Sequence, residues 1–225
     1  MTPLRDGREE LLQAAGMTTA VTPAELADTI TAHASRGRVV IALAGPPGSG
    51  KSTLAEWLCT RLNEGSPGSA AVLPMDGYHF DDRVLEARGL RARKGAPGTF
   101  DVAGLHHMLA RLKRNAENEV AVPVFDRDLE IARAGARLIP QSVRILIVEG
   151  NYLLLDRKPW SDLRDVFDVT AMIEVPEEIL RARLRERWVG YGLSPEQITA
   201  KLEDNDLPNG RLVRASSVAA DFAIS

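Results

Sequence analysis

The chain has 225 residues, of which 44% are hydrophobic and 26% are charged, so it has enough apolar material for a buried core. Its net charge of -3 gives no general attraction to polyanions, which excludes nucleic acid and acidic membranes as general partners. We therefore predict one globular domain over residues 1–225.

The lone cysteine and the N-terminal residues indicate the compartment. Cys59 cannot form a disulfide within the chain, and its expected role is that of a small buried apolar side chain. The first residues, MTPLRDGREELLQ, lack the apolar core of a secretory signal, and no window approaches the ~20 apolar residues of a membrane span. We expect a cytoplasmic protein.

The first predicted elements lead into a glycine-rich loop. Residues 1–37 are predicted as a helical extension, in which Thr22 and Pro23 mark the start of a helix. The continuous apolar run RVVIALA, residues 38–44, is typical of a strand buried on both faces of a parallel sheet. After the loop, residues 52–62 place leucines on one helical face. The order is strand, loop, helix.

Four more apolar runs predict strands that alternate with helical or irregular segments. They lie at residues 71–75, 144–148, 169–175 and 218–224. This alternation predicts an α/β fold with a central parallel sheet of about five strands flanked by helices.

Two segments outside the predicted sheet are expected to serve the substrate. The insertion at residues 76–141 carries many charges and a predicted helix over residues 102–115, and we interpret it as the substrate-binding part. Another helix is predicted over residues 176–193, where two glycines near its end suggest a hinged lid.

Residues 45–52, GPPGSGKS, match the pattern G-x-x-x-x-G-K-[ST] of a phosphate-binding loop. Glycines let the backbone wrap closely, so that N–H groups and a helix N-terminus face phosphate oxygens. The alternative is a glycine-rich turn that only joins two elements, but the flanking strand and helix favour a P-loop NTPase fold. The residues expected to bind the nucleotide are Gly45, Pro46, Pro47, Gly48, Ser49, Gly50, Lys51, Ser52 and Thr53.

Two side chains of this loop have an expected chemical role. Lys51 would place a positive charge against the outer phosphates, and the hydroxyl of Ser52 would bind magnesium. ATP and Mg2+ are therefore the expected cofactors.

Carboxylates follow two of the predicted strands. Asp76 comes directly after residues 71–75, and Glu149 directly after residues 144–148. Because open α/β sheets bind ligands at the carboxyl ends of their strands, both side chains are expected at one edge. We interpret Asp76 as the base that receives an acceptor proton and Glu149 as a magnesium ligand, direct or through water. The alternatives are an Asp-Gly turn and a surface acid.

The predicted lid, residues 176–193, carries four arginines, and Arg183 and Arg187 share one of its faces. Arginines on a closing segment can neutralise the charge of a transferring phosphoryl group, so both are candidate catalytic residues. The alternative is a solvated arginine face paired with neighbouring glutamates.

Five segments resemble, in order, the phosphoribulokinase, uridine kinase and pantothenate kinase group of P-loop small-molecule kinases. They are GPPGSGKS, MDGYHFDD, RKGAPGTFD, PVFDRDLEIAR and VEGNYLLLD, and the match covers most of residues 38–224. The resemblance is strongest to a bacterial branch of fructose-transport-type kinases, which shares DGYH-like, RKGAP-like and ND-x-PN-like motifs. It implies that ATP and magnesium are reactants and that the terminal phosphate passes to a small alcohol.

The resemblance also implies roles for single residues. At the catalytic end it implies Asp76 as the base, Ser52 and Glu149 at magnesium, Arg183 and Arg187 on the lid, and Asn205 and Asn209 near the nucleotide base. The residues that it implies as substrate contacts are Tyr78, His79, Arg93, Lys94, Asp101 and Arg133.

Departures from the group's motifs narrow the range of expected acceptor molecules. Uridine kinases usually have Asp-Ser-Phe-Tyr where this chain has DGYH, and PVFDRDLEIAR replaces a tyrosine-serine-histidine segment of pantothenate kinases. We therefore expect a kinase of a sugar or sugar acid, with a nucleoside or pantothenate as the alternative acceptor. The alternative of another class is a nucleotide-dependent regulatory binding protein. The small-molecule acceptor is the expected partner, and a homodimer is compatible with the sequence.

Overall fold

The computed structural model describes residues 18–34 and 37–225. The strands in these residues are β1 (Thr19–Ala20), β2 (Val39–Ala44), β3 (Ala70–Pro74), β4 (Glu119–Asp126), β5 (Ile131–Pro140), β6 (Ile145–Gly150), β7 (Val169–Ile173) and β8 (Phe222–Ile224). Six of them form a parallel sheet in the order β1-β8-β7-β2-β6-β3. The predicted parallel sheet is confirmed, and the added strand is β1, whose two residues are too few to show a pattern.

Helices cover this sheet. In the described ranges they are α1 (Pro23–His33), α2 (Lys51–Gly65), α3 (Asp82–Ala87), α4 (Val102–Arg114), α5 (Glu177–Gly190), α6 (Pro195–Lys201) and α7 (Leu207–Ser216), with a π-helical turn (Leu202–Asp206) between α6 and α7. The sequence predicted α1, α2, α4 and α5. It did not predict α3, α6 and α7, which are short. The first part of the predicted extension, residues 1–17, lies outside the described residues. None of the described helices is long and apolar enough to cross a membrane.

Strand β2 lies inside the sheet, between β7 and β6, and both of its faces are buried. Val40 and Ala42 belong to a hydrophobic cluster that includes the leucines of α4. Ile41 and Leu43, which point the other way, pack in a second cluster with α1 and α2. Cys59 packs against this second cluster and is half-buried. The continuous apolar run of the sequence therefore marks the strand that carries the glycine loop.

Strands β4 and β5 form a separate antiparallel pair, which we call the ribbon. This region belongs to the predicted insertion, and the sequence pattern does not predict the ribbon. Most of β5 is exposed and rich in alanine and arginine, so it lacks the alternation of apolar and polar residues that marks a strand. The ribbon turn, residues 127–130, lies near the carboxyl edge of the sheet, since Arg127 contacts Asp76 there.

At the opposite end of β2, Arg38 ties the insertion to the sheet. Its guanidinium donates hydrogen bonds to the carbonyl oxygens of Val143 at 2.7 Å, Leu112 at 2.9 Å and Pro140 at 2.8 Å. Burial and the nearby charge of Arg144 lower the pKa of Arg38. This anchor fixes the ends of α4 and β5 far from the glycine loop.

Candidate active site

The phosphate loop, residues 45–50, has a backbone that only glycine adopts readily. Gly48 and Gly50 have φ values of 79° and 92°, in the left-handed region. A Cβ atom on Gly48 would lie 2.9 Å from Cγ of Leu184, so the helix α5 packs directly on the loop. Gly50 caps α2 without a side-chain hydrogen bond, which leaves first-turn N–H groups available to an anion. This geometry fits a phosphate group.

Lys51 lies at the start of α2 with its amino group inside the loop. The side chain is buried, and Nζ donates a hydrogen bond to the carbonyl oxygen of Pro46 at 2.9 Å. Burial lowers the pKa of Lys51 to about 8, although the charges of Glu149 and Asp76 act in the opposite direction. A bound phosphate would give this amino group the anionic partner that the burial of a lysine calls for.

Two carboxylates lie beside Lys51 because neighbouring strands end there. Glu149 is in register with Pro74 of β3, and Asp76 follows Pro74 by two residues. Glu149 is only 6% exposed. Burial raises the pKa of Glu149, the charge of Asp76 raises it further, and the charge of Lys51 opposes both. The edge of the sheet therefore combines a cation with two acids.

The residues expected at magnesium lie next to each other. Ser52 is exposed on the first turn of α2, and its side chain acts to lower the pKa of Glu149. Within residues 18–34 and 37–225, no group of three or more His, Cys, Asp or Glu side chains could hold a metal ion. A magnesium ion here would therefore rely on Ser52, Glu149 and phosphate oxygens together.

Sequence reasoning missed Arg127, which contacts the candidate base. Its Nη2 atom donates to Oδ2 of Asp76 at 2.7 Å, across the gap between the ribbon turn and the end of β3. The signal was present in the segment PVFDRDLEIAR, where we selected Arg133 instead. Arg133 pairs with Asp126 at 3.2 Å within the ribbon.

The turn that carries Asp76 is fixed by its neighbours in the DGYH motif. A Cβ atom on Gly77 would lie 2.6 Å from the carbonyl oxygen of Pro123, so β4 packs against this glycine. Nδ1 of His79 lies 2.8 Å from the carbonyl oxygen of Asp76, and its ring packs on Phe100. Burial lowers the pKa of His79. His79 therefore holds the backbone of Asp76, and its contact with substrate stays a prediction.

The other predicted substrate contacts are placed differently from one another. Tyr78 is buried, and burial raises the pKa of its hydroxyl, which has no hydrogen-bond partner among the described residues. Nζ of Lys94 donates to Oδ1 of Asp82 at 2.7 Å and to the carbonyl oxygen of Glu130. Asp101 caps α4 by accepting from the Gly104 N–H. Arg93 is exposed. Direct contacts of these residues with substrate stay predictions.

An aromatic group that we did not predict supports the segment over residues 93–99. The hydroxyl of Tyr152 donates to the carbonyl oxygen of Gly95 at 2.6 Å, and Nε1 of Trp160 donates to that of Pro97 at 3.2 Å. Phe100 packs edge-on against both rings. These contacts hold the RKGAPG loop beside the site.

Helix α5 places two arginines toward the phosphate loop. Nη1 of Arg183 lies 3.4 Å from the carbonyl oxygen of Ser49, and the charge of Arg187 contributes to the lowered pKa of Lys51. Arg181 instead forms ion pairs with Glu177 and Glu203 on the solvent side. The helix therefore has both a loop-facing and a solvated arginine face. The catalytic part of Arg183 and Arg187 stays a prediction.

Asn205 and Asn209 lie in and after the π-helical turn, and both are buried. Nδ2 of Asn209 donates to Oδ1 of Asn205 at 3.1 Å, and Asn205 donates to the carbonyl oxygen of Lys94. They thereby connect the turn to the RKGAPG loop. Their contact with the nucleotide base stays a prediction.

A cavity of about 660 Å3 opens on the other side of the phosphate loop. Pro46 connects it to the loop, Glu174 and Pro176 line it beyond the end of β7, and Val213 and Ser217 line it from α7 and the segment that follows. Its position next to the phosphate-binding backbone makes it a candidate for the nucleoside of a bound nucleotide. No sequence motif predicts this cavity.

The chain is similar to proteins from a yeast and a bacterium. No family model matches it. A uridine kinase candidate from Schizosaccharomyces pombe is 34% identical over 194 residues, which are 83% of each chain. The uncharacterized protein YggC of Escherichia coli is 36% identical over 188 residues, covering 83% of this chain and 77% of that one.

Among solved structures, a fructose transport system kinase candidate from Silicibacter sp. TM1040 is 42% identical to this chain. The two superpose with a TM-score of 0.83, and the match covers 91% of this chain and 99% of the other. The similarity therefore extends over most of the chain.

Proposed function

This chain belongs to the phosphoribulokinase, uridine kinase and pantothenate kinase group of P-loop small-molecule kinases, and on that premise we propose that it phosphorylates a sugar or sugar acid with MgATP. The observation that carries the proposal is the position of Asp76. This acid lies at the edge of the sheet beside Lys51 and Glu149, where its charge raises the pKa of Glu149 and opposes the lowering of the pKa of Lys51. A base next to a phosphate site suits transfer to an alcohol.

The phosphate loop would bind the donor. The N–H groups at the start of α2 and the amino group of Lys51 face the place where the outer phosphates belong. The nucleoside would occupy the cavity beside Pro46. Magnesium, held by Ser52 and Glu149, would supply positive charge to the phosphate oxygens during transfer.

Asp76 would act on the acceptor. Its carboxylate accepts the proton of the acceptor hydroxyl as that oxygen bonds to the γ-phosphorus, and the bond from phosphorus to the bridging oxygen breaks to leave ADP. His79 holds the backbone of Asp76 by a hydrogen bond of 2.8 Å. The base is thereby fixed before the acceptor arrives, which lowers the entropy that the reaction must lose.

The arginines of α5 would complete the site. Arg183 and Arg187 lie on the face of the helix toward the phosphate loop, where Leu184 packs on Gly48. Guanidinium groups in this position stabilise the charge that spreads over a transferring phosphoryl group. Closure of the lid would also keep water away from the γ-phosphate.

The proposal is tested by an acceptor screen. ADP release is coupled to a spectroscopic assay at fixed magnesium and ATP, with sugars, sugar acids, nucleosides and pantothenate added one at a time. We expect strong stimulation by a sugar or sugar acid and little by nucleosides or pantothenate. Preferred phosphorylation of a nucleoside would contradict the acceptor class. Nucleotide binding without any acceptor-dependent ADP release would contradict phosphate transfer and favour a regulatory binding protein.

A further inference from the structure

We infer that Arg127 recognises an anionic group on the acceptor, so that the substrates are small hydroxy compounds carrying a carboxylate or a phosphate. The inference rests on the proposed kinase function and adds a specificity residue to it. Arg127 is the first residue after β4 and belongs to the ribbon turn, residues 127–130. It comes from a different part of the chain than the phosphate loop.

The contact with Asp76 places Arg127 at the position of the acceptor. The two side chains are joined at 2.7 Å, and the Arg127 side chain is 53% exposed while that of Asp76 is 25% exposed. An acceptor hydroxyl must come within hydrogen-bond distance of Asp76 to lose its proton. The rest of a small acceptor then lies within reach of the Arg127 guanidinium.

Two neighbouring cations are already neutralised by other acids. Lys94 pairs with Asp82 at 2.7 Å, and Arg133 pairs with Asp126 at 3.2 Å. In the part of the chain that the structure describes, Asp76 is the one acid that forms an ion pair with Arg127. The partner of Arg127 is the candidate base Asp76, which must contact the acceptor hydroxyl when an acceptor binds.

A guanidinium group has five N–H donors, and the contact with Asp76 uses one of them. The remaining donors form a planar fork that matches the two oxygens of a carboxylate or phosphate.

The positive charge of Arg127 also acts on other residues of the site. Burial is the main cause of the lowered pKa values of Lys51 and His79, and Arg127 contributes to both. An anionic acceptor would balance this positive charge.

The experiment compares acceptors in matched pairs that differ in one charged group. The pairs are glycerate with glycerol, gluconate with sorbitol, and ribose 5-phosphate with ribose. For the wild-type protein we expect a kcat/KM for the anionic member that is at least about tenfold higher, the size of a charged hydrogen bond. The first two pairs report a carboxylate, and the third reports a phosphate.

The substitution Arg127→Ala should remove this preference. We expect a loss of roughly 10- to 100-fold in kcat/KM for the anionic acceptor, mainly through KM, and a ratio near one within each pair. The change also frees Asp76, but that effect acts on both members of a pair and cancels in the ratio. Arg127→Lys should restore part of the preference because it keeps the charge without the fork.

Arg164→Ala is the matched control. The Arg164 side chain is 54% exposed and pairs with Asp156 at 2.9 Å, so it resembles Arg127 in exposure and pairing. Neither residue of that pair belongs to the candidate site. We expect the control to keep the wild-type ratio for every pair. Thermal unfolding of both variants checks that the fold is intact.

Three outcomes would overturn the inference and leave the kinase proposal standing. A wild-type preference for neutral acceptors excludes an anion site at Arg127. Equal losses for both members of a pair in Arg127→Ala would mean that this residue only positions Asp76. A rise in the KM for ATP alone would assign Arg127 to the nucleotide. If the whole panel and the wider screen give no phosphorylated product, the kinase proposal itself fails, and the inference fails with it.

Discussion

The phosphate loop and the ribbon meet at Asp76, but they are built in different ways. The loop follows a strand whose residues are all buried, and its lysine is buried too. The ribbon is largely exposed, and Arg127 and Arg133 there form ion pairs with partly exposed acids. Surface ion pairs contribute little stability and rearrange easily, whereas a buried strand does not.

This difference separates two tasks. Under the proposed function, the buried side binds the donor through backbone N–H groups and one lysine. The exposed side recognises the acceptor through single residues, such as Arg127, that lie outside the core. Variants of the two sides should therefore have distinguishable kinetic effects.

The largest expected effect is on the nucleotide side. Lys51→Ala should lower kcat/KM by about 10³–10⁵-fold, since it removes a cation next to the transferring phosphoryl group. The loss should be the same for every acceptor, as steady-state kinetics with two acceptors would show. Lys158→Ala is the control, because Lys158 is 83% exposed and lies outside the site. A loss that depends on the acceptor would break the separation of the two sides.

A smaller effect is expected on the lid. Arg187→Ala should lower kcat by roughly 10- to 100-fold and leave the Kd for ATP nearly unchanged, because its charge acts on the transferring group. Arg185→Ala, an exposed residue of the same helix, should stay near the wild-type rate. Single-turnover kinetics and ATP titration measure the two quantities. Equal behaviour of the two variants would contradict a catalytic lid face.

The pH dependence of ATP binding tests the buried lysine. Under the proposed function the protonated form of Lys51 binds phosphate, and burial lowers the pKa of Lys51 to about 8. As the pH rises through this value, the charged fraction falls, and the Kd for ATP should increase up to about tenfold per pH unit. Lys51→Arg should bind ATP without this rise because arginine stays charged. A flat wild-type profile above pH 8 would mean that Lys51 stays charged without nucleotide.

The smallest effect is expected where the ribbon contacts the turn of Asp76. Gly77→Ala would place a Cβ atom 2.6 Å from the carbonyl oxygen of Pro123 and push β4 away. We expect a fewfold higher KM for the acceptor, an unchanged Kd for ATP, and a free energy of unfolding lowered by about 1–3 kcal/mol. Gly65→Ala is the control, because a Cβ atom added to Gly65 would have no other atom within 4 Å. Weaker ATP binding in Gly77→Ala would show that the ribbon and the phosphate loop do not act independently.

The sequence predicted the buried side more completely than the exposed one. Residues 45–52 form a local motif, and the strands around it are apolar runs, so the loop and the sheet edge were predictable from short segments. The Asp76–Arg127 pair joins residues 51 positions apart, and the ribbon that brings them together lacks an apolar pattern. Lys94 and Asp101 looked like ligand residues, and the structure gives them ion-pair and capping contacts.

Phosphate transfer by the Asp76→Asn variant tests directly whether Asp76 is the base. With the best acceptor of the screen and MgATP, phosphorus NMR follows the new phosphate ester, and calorimetry measures the Kd for ATP. We expect ester formation to fall by about 10²–10⁴-fold while the Kd for ATP changes little. Ester formation at the wild-type rate would show that Asp76 is not the base, and it would contradict the account.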